Sequence, residues 1–139
     1  MPLIYWLFLF IVLGVANAAY LHWQYLLNRR IGRTMYCPLG GSCEEVVASK
    51  FGTTFGIKNE RWGIIYYVLL ILALVAFLRY PQTSEILSLG ILTASLLAAL
   101  FSTYLVIVQF FVIREYCSWC VAATVINYII LAIEVPLFL

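Results

Sequence analysis

The sequence predicts an all-α integral membrane protein, a four-transmembrane-helix bundle with a long first loop containing a short helix. Three observations predict it. Of 139 residues, 65% are hydrophobic and 10% charged, whereas soluble domains carry about 25% charged residues. Mean hydropathy is +1.05. The apolar residues also gather into four runs, at 3–27, 62–78, 86–113 and 117–139, each of about spanning length. Together they form one membrane domain, with the polar stretch 28–61 as its first loop. A net charge of +2, scattered along the chain, offers no nucleic-acid surface.

The first run contains Ala16-Asn17-Ala18, which resembles a signal-peptidase site. Its start lacks a basic region, and it stays apolar through Ala19, Tyr20 and Leu21, so a retained anchor is expected. His22 and Gln24 lie near its end. His22, the sole histidine, is expected to be an interfacial side chain rather than a catalytic base.

The first loop holds six of the eight basic residues: Arg29, Arg30, Arg33, Lys50, Lys58 and Arg61. Cys37 and Cys43 bracket Pro38-Leu39-Gly40-Gly41-Ser42, a composition that makes a compact turn. Spacing alone does not place the two sulfurs in disulfide geometry. Ser42-Cys43-Glu44-Glu45 fits a capping box and predicts a helix over 43–51. Val46, Val47 and Phe51 would form its apolar stripe, resting on the membrane surface. Cys43 would then sit at a helix start, and Cys37 on the freer part of the loop.

Trp62, Tyr66 and Tyr67 open the second span as expected interfacial anchors. Arg79-Tyr80-Pro81-Gln82 reads as a tight turn. The third span is long enough to tilt or project. It carries Ser88, Thr93, Ser95, Ser102, Thr103 and Gln109, small and polar residues that suit helix–helix packing. The fourth span begins at Cys117-Ser118-Trp119-Cys120, with Thr124 and Asn127 at one and two turns beyond Cys120. Glu134, just before Pro136, is expected to be an interfacial carboxylate.

A C-x-x-C at a helix start is a dithiol switch. Unpaired N–H groups and the helix dipole favour a thiolate on its first cysteine. Cys117 is therefore expected to be the more acidic and more exposed thiol, and Cys120 to face the apolar interior. An even number of spans between them puts the first loop and the 114–116 break on one side, so all four cysteines share one membrane face. Two cysteine pairs on one face suggest a thiol relay. The alternatives are core fillers or a closed zinc site of four thiolates in a non-enzymatic membrane scaffold.

Several segments resemble the vitamin K epoxide reductase family, in its bacterial and archaeal quinone-linked, disulfide-forming branch. They are Cys37-x5-Cys43, Ser49 in Val46-Val47-Ala48-Ser49, Phe55-Gly56, Asn59-Glu60-Arg61-Trp62-Gly63, and Tyr116-Cys117-Ser118-Trp119-Cys120. Their order matches too, across most of the chain. The resemblance implies a helical bundle around a membrane quinone of ubiquinone or menaquinone type. It implies a thiol oxidase in which electrons enter from a thioredoxin-like dithiol protein at Cys37, pass to Cys43, then to Cys117, and leave from Cys120. Asn59 matches an asparagine that hydrogen-bonds the quinone carbonyl, and Ser49 a supporting serine of the loop helix. Several animal members carry a tyrosine four residues after the last cysteine. Here Thr124 stands there, which argues against vitamin K epoxide and leaves plain quinones, with a vitamin K or quinone reductase proper as the alternative. No fused thioredoxin-like domain is expected. A second type of quinone-linked disulfide oxidase places its C-x-x-C in the first loop, the reverse of the order here.

The cysteine face carries Arg29, Arg30, Arg33, Lys50, Lys58, Arg61 and Arg114; the other face has only Arg79 and the N-terminal amine. By the positive-inside rule, the cysteines of this multi-pass cell-membrane protein are expected to face the cytosol. An outward-facing arrangement is the alternative. Cytosolic disulfides are common chiefly in hyperthermophiles.

Overall fold

The computed structural model describes residues 2–38 and 40–139; Leu39, within the predicted turn, lies outside the described residues. Four helices long and apolar enough to cross a membrane form the bundle. They are α1 (Pro2–Ile31), α3 (Asn59–Arg79), α4 (Ser84–Val108) and α5 (Ser118–Phe138). α1 packs on α3 and α5, and α4 packs on the same two helices, which closes a ring.

The first two spans exceed their predicted limits by a few residues, and the fourth falls one residue short at each end. α1 runs past Leu27 because Asn28, Arg29 and Arg30 keep their backbone hydrogen bonds beyond the apolar stretch; the final one joins the Gly32 N–H to the Asn28 carbonyl at 3.1 Å. Arg29 and Arg30 in the last turn complement the negative end of the dipole. α3 and α4 are joined by a single 3₁₀ turn, Pro81–Thr83, where the tight turn was expected. α4 continues as a π-helical turn, Gln109–Ile113, and stops at Arg114, which adopts a left-handed conformation with φ of 61°.

The first loop folds over the cysteine end of the bundle. Its helix, α2, is shorter than predicted, Cys43–Ala48, followed by a 3₁₀ turn at Lys50–Gly52. Ser49 ends it: its hydroxyl donates to the Val46 carbonyl at 2.8 Å. Lys58 donates its ammonium to the Val47 carbonyl at 2.5 Å, supplying a positive charge at the helix C-terminus. The predicted capping box does not form. Ser42 holds the N-cap position without a side-chain bond, Glu45 is exposed, and the neighbouring Glu44 accepts from the Met35 N–H at 2.7 Å. A two-residue hairpin, Thr53–Thr54 (β1) with Ile57–Lys58 (β2), leads into α3. Its turn residues Phe55 and Gly56 both have positive φ, at 53° and 79°, the arrangement that matches strand twist in tight hairpins.

Two apolar clusters hold the molecule. Leu7, Ile11, Ala18, Tyr67, Leu70, Leu74, Ile91 and Ile130, from all four spans, form the membrane core. Gly14 lets the Tyr67 ring press against the α1 backbone, since a Cβ there would lie 2.5 Å from it. Tyr67 is thus a core residue, 2% exposed, and not the interfacial anchor expected; Tyr66 also turns into the bundle. Leu21, Met35, Cys43, Val46, Val47 and Cys117 form the second cluster beneath the loop. Val46 and Val47 therefore face the bundle rather than the membrane surface. They help cover Cys43 and Cys117 from water.

Candidate active site

The four cysteines meet in this second cluster. Cys37 and Cys43 form a disulfide, with Cα atoms 5.6 Å apart, inside the usual range. Cys117 and Cys120 are free thiols. Cys43 and Cys117 are packed in the same buried cluster, and the Ser118 hydroxyl donates to Cys37 Sγ at 3.3 Å. The two pairs therefore touch across the loop–helix seam. Cys37 is half-buried and held there, not on a freer part of the loop.

Several polar contacts fix that seam. The Ser42 N–H donates to the Tyr116 carbonyl at 2.9 Å. Gly41, at φ of 84°, passes so close to Tyr116 that a Cβ would lie 2.5 Å from the same carbonyl. Trp119 donates its indole N–H to the Tyr36 carbonyl at 2.9 Å, and Asn17 donates to the Trp119 carbonyl at 3.0 Å. The Tyr36 N–H donates to Gln24 Oε1 at 2.6 Å. Asn17 and Gln24 on α1 thus clamp the loop and the C-x-x-C in one frame.

Cys117 is the N-cap of α5, and its sulfur accepts from the Cys120 N–H at 3.3 Å. A hydrogen bond from the Cys120 thiol holds the Cys117 thiol below its ordinary pKa, aided by the N–H groups of Cys120 and Trp119 and opposed by burial. The expected acidity is present, but the expected exposure is not. Cys117 is fully buried, because the loop helix covers it, while Cys120 is half-buried. A further contact reaches Cys117 from the π-helical turn: its N–H donates to Gln109 Oε1 at 2.7 Å.

Cys120 lines a cavity of about 630 Å³ between the spans, within the size range of small-molecule sites. Apolar side chains such as Leu97, Phe101 and Leu105 make up most of its wall. The polar members are chiefly Asn59, Tyr66, Tyr67, Gln109, Thr124 and Asn127. Tyr67 donates its hydroxyl to Asn127 Oδ1 at 2.5 Å, and Asn127 donates to Ser102 at 2.6 Å. Thr124, at the position of the animal tyrosine, donates to the Cys120 carbonyl at 3.2 Å. The chemistry of this wall fits a quinone: apolar space, a thiol in the wall and amide and hydroxyl groups for ring oxygens.

Asn59 reaches the cavity wall, where its amide also braces the hairpin. It donates to the Phe51 carbonyl at 2.7 Å and accepts from the Thr54 hydroxyl at 2.7 Å. Ser49 lies at the end of α2, beneath the loop. His22 pairs at the membrane edge with Glu60, 3.3 Å from Nδ1 to Oε1, and Arg61 Nε donates to its Nε2 at 3.2 Å. Arg61 occupies the lone pair on Nε2, so the proton sits on Nδ1 and is donated to Glu60. Glu134 departs from expectation: it is 0% exposed, inside the bundle rather than at an interface. The structural roles of Gln109, Asn127, Asn17 and Gln24 were not assigned from sequence. Their only signal was a polar side chain within an apolar run.

Among the described residues, no three His, Cys, Asp or Glu side chains are gathered to hold a metal ion. The model of the vitamin K epoxide reductase family matches residues 5–135, nearly the whole chain. With two cysteine pairs in contact at the rim of an intramembrane cavity, this four-span chain belongs to the vitamin K epoxide reductase family, whose members are membrane oxidoreductases of disulfide chemistry.

Proposed function

We propose that the protein is a thiol oxidase that makes disulfides in a thioredoxin-like dithiol partner and passes the electrons to a membrane quinone. One observation carries the direction of flow: Cys120 lines the cavity, while Cys117 lies in the buried cluster with Cys43. A partner thiolate attacks Cys37 and opens the Cys37–Cys43 disulfide. Cys43 then attacks Cys117 of an oxidised C-x-x-C, which frees Cys120 toward the cavity. The partner's second thiol attacks its mixed disulfide with Cys37 and the partner leaves oxidised; the freed Cys37 then closes on Cys43 and releases Cys117. Cys120 and Cys117 are left as a dithiol beside the quinone, the arrangement of free and bonded cysteines described above. Each exchange needs an attacking thiolate and an acidic leaving thiol, and the lowered Cys117 thiol suits the leaving role.

When bound, the quinone supplies the two-electron acceptor. Asn59 has a second amide N–H beyond the one given to Phe51, and it is the proposed donor to a ring oxygen, where it would stabilise developing charge. Ser49 supports the site indirectly by ending α2, the helix that Cys43 begins. A potential gap of about 100 mV corresponds to about 4.6 kcal/mol for two electrons, enough to make the relay nearly one-way. Thr124 in place of a tyrosine favours plain quinones over vitamin K epoxide; a panel of quinones and the epoxide tests that choice. The basic bias of the first loop supports a cytosolic cysteine face, with an outward-facing arrangement as the alternative.

The test is quinone reduction by the purified protein with a reduced thioredoxin-like dithiol protein. Wild type is expected to turn over. Cys120→Ser is expected to stall and to accumulate a Cys43–Cys117 disulfide, seen by peptide mapping. Absence of dithiol-dependent quinone reduction in wild type would overturn the proposal.

A further inference from the structure

Glu134 has no part in the relay, yet it is the most deeply buried acid of the chain. Its exposure is 0%, and neither carboxylate oxygen has a hydrogen-bond partner among the described residues. It lies 16 residues beyond Ser118 on α5, about 24 Å along the helix. That places it within about a turn of the helix end at Phe138, toward the face opposite the cysteines. Arg79, the one basic side chain expected at that end, is exposed. An ion without a counter-charge in this setting costs several kcal/mol, so the neutral acid is the form such a site holds.

Its neighbours make a path. On α4, Ser95 is also 0% exposed and stands beside the carboxyl. On α3, Tyr66 donates its hydroxyl to Ser95 Oγ at 3.1 Å and lies within electrostatic reach of Glu134. Tyr67 is the other titratable group near Tyr66, and α1 brings apolar side chains such as Leu7 and Ile11 to this core. Tyr66 lines the cavity. A buried acid near the far face thus has two bonded hydroxyls for neighbours, Ser95 and Tyr66, and the second lines the chamber where Cys120 stands.

We propose that Glu134, Ser95 and Tyr66 carry protons from the membrane face opposite the cysteines into the cavity, so that thiol oxidation moves charge across the bilayer. The proposal rests on the cavity being the quinone site. As the Cys117–Cys120 S–S bond forms, two S–H bonds break and two electrons pass to the quinone. Two protons complete its reduction. Tyr66 turns its hydroxyl from Ser95 to give one of them, and Glu134 restores it through Ser95. One thiol proton supplies the second; the other thiol proton leaves on the cysteine face. For each quinone reduced, one proton enters from the far face and one is released beside the cysteines.

The test uses the full chain in proteoliposomes with quinone in the bilayer, a membrane-impermeant dithiol outside and a pH dye inside. Only molecules with outward-facing cysteines then turn over. Wild type is expected to make the lumen alkaline by one proton per quinone reduced. Glu134→Gln and Ser95→Ala are expected to lose that signal and to slow reduction by up to about 100-fold, the scale of a lost general acid. Glu134→Asp should recover part of both. Without turnover, infrared spectra of the quinone-free protein should contain a neutral carboxyl band that Glu134→Gln abolishes and Ser95→Ala shifts. Quinone reduction without lumenal proton uptake, or an absent carboxyl band, overturns the proton route and leaves the oxidase intact. No dithiol-dependent quinone reduction in wild type overturns both.

Discussion

Cys117 concentrates the chemistry of the molecule in one side chain. It caps α5, it is buried against Cys43, and its thiol is held below the ordinary range first by the hydrogen bond from Cys120. A lowered value means the thiolate persists to a lower pH than an ordinary thiol allows and is lost only as pH falls through the value set in the fold. Cys120→Ala removes the largest cause. The loss should then occur at higher pH, measured by thiolate ultraviolet absorbance in a chain with Cys37 and Cys43 changed to Ala. An unchanged titration would mean that the helix start alone sets the acidity. Gln109 acts on the same residue. It accepts the Cys117 N–H at 2.7 Å, and its Nε2 has no partner among the described residues. Gln109→Leu leaves the Cys117 N–H buried and unpaired, which costs about 1–3 kcal/mol. Thermal unfolding should register that loss, and Gln109→Glu should recover the acceptor and part of the stability.

Two short elements decide whether the cysteine pairs meet. The segment at Gly41 and Ser42 docks the loop on Tyr116, and only glycine fits its left-handed backbone and its approach to the Tyr116 carbonyl. Gly41→Ala should lift the loop, slow exchange between Cys43 and Cys117, and leave the four spans intact. Rapid-quench trapping of the inter-pair disulfide, alongside helical content by circular dichroism, checks both halves. The hairpin is the second element. Asn59 ties β1 and the 3₁₀ turn to the start of α3 by two side-chain bonds at 2.7 Å. Asn59→Ala removes both, and a loss of about 2 kcal/mol is expected at about 1 kcal/mol each. Asn59→Asp keeps the acceptor for Thr54 while losing the amide donors. If Asn59 also serves the quinone, the Asp variant should weaken quinone binding by more than its change in melting temperature explains.

At the scale of the whole molecule, the spans place the cysteine cluster at one end and the C-terminal end of α5 at the other. The Lys and Arg bias then predicts the sidedness. A reporter fused after Leu139 should give alkaline phosphatase activity in a bacterial host, and fluorescence from a reporter that folds only in the cytosol would reverse the orientation.

Composition and run length were sufficient to read four spans and a redox loop. Each of these is a local property, and the bilayer thickness sets the length of a span whatever its neighbours are. The shared face of the four cysteines followed from counting spans. The direction of the Cys117 shift was expected from its place at a helix start, although the bond from the Cys120 thiol is its largest cause. The burial of Cys117, the inward turn of Tyr66 and Tyr67, and the place of Glu134 in the bundle were not legible. Lipid tails are as apolar as a protein core, so no alternation of polar and apolar residues marks which side of a span faces inward. Likewise the Ser42–Glu45 pattern satisfied the local rule for a cap, but Glu44 instead accepts the Met35 N–H, and tertiary contact took precedence. The sequence by itself determined the spans, the cysteine pairs and their common face. Only the packing of the helices decided which thiol meets the cavity, because that depends on the rotation of each helix about its axis, which side chains acquire only from one another.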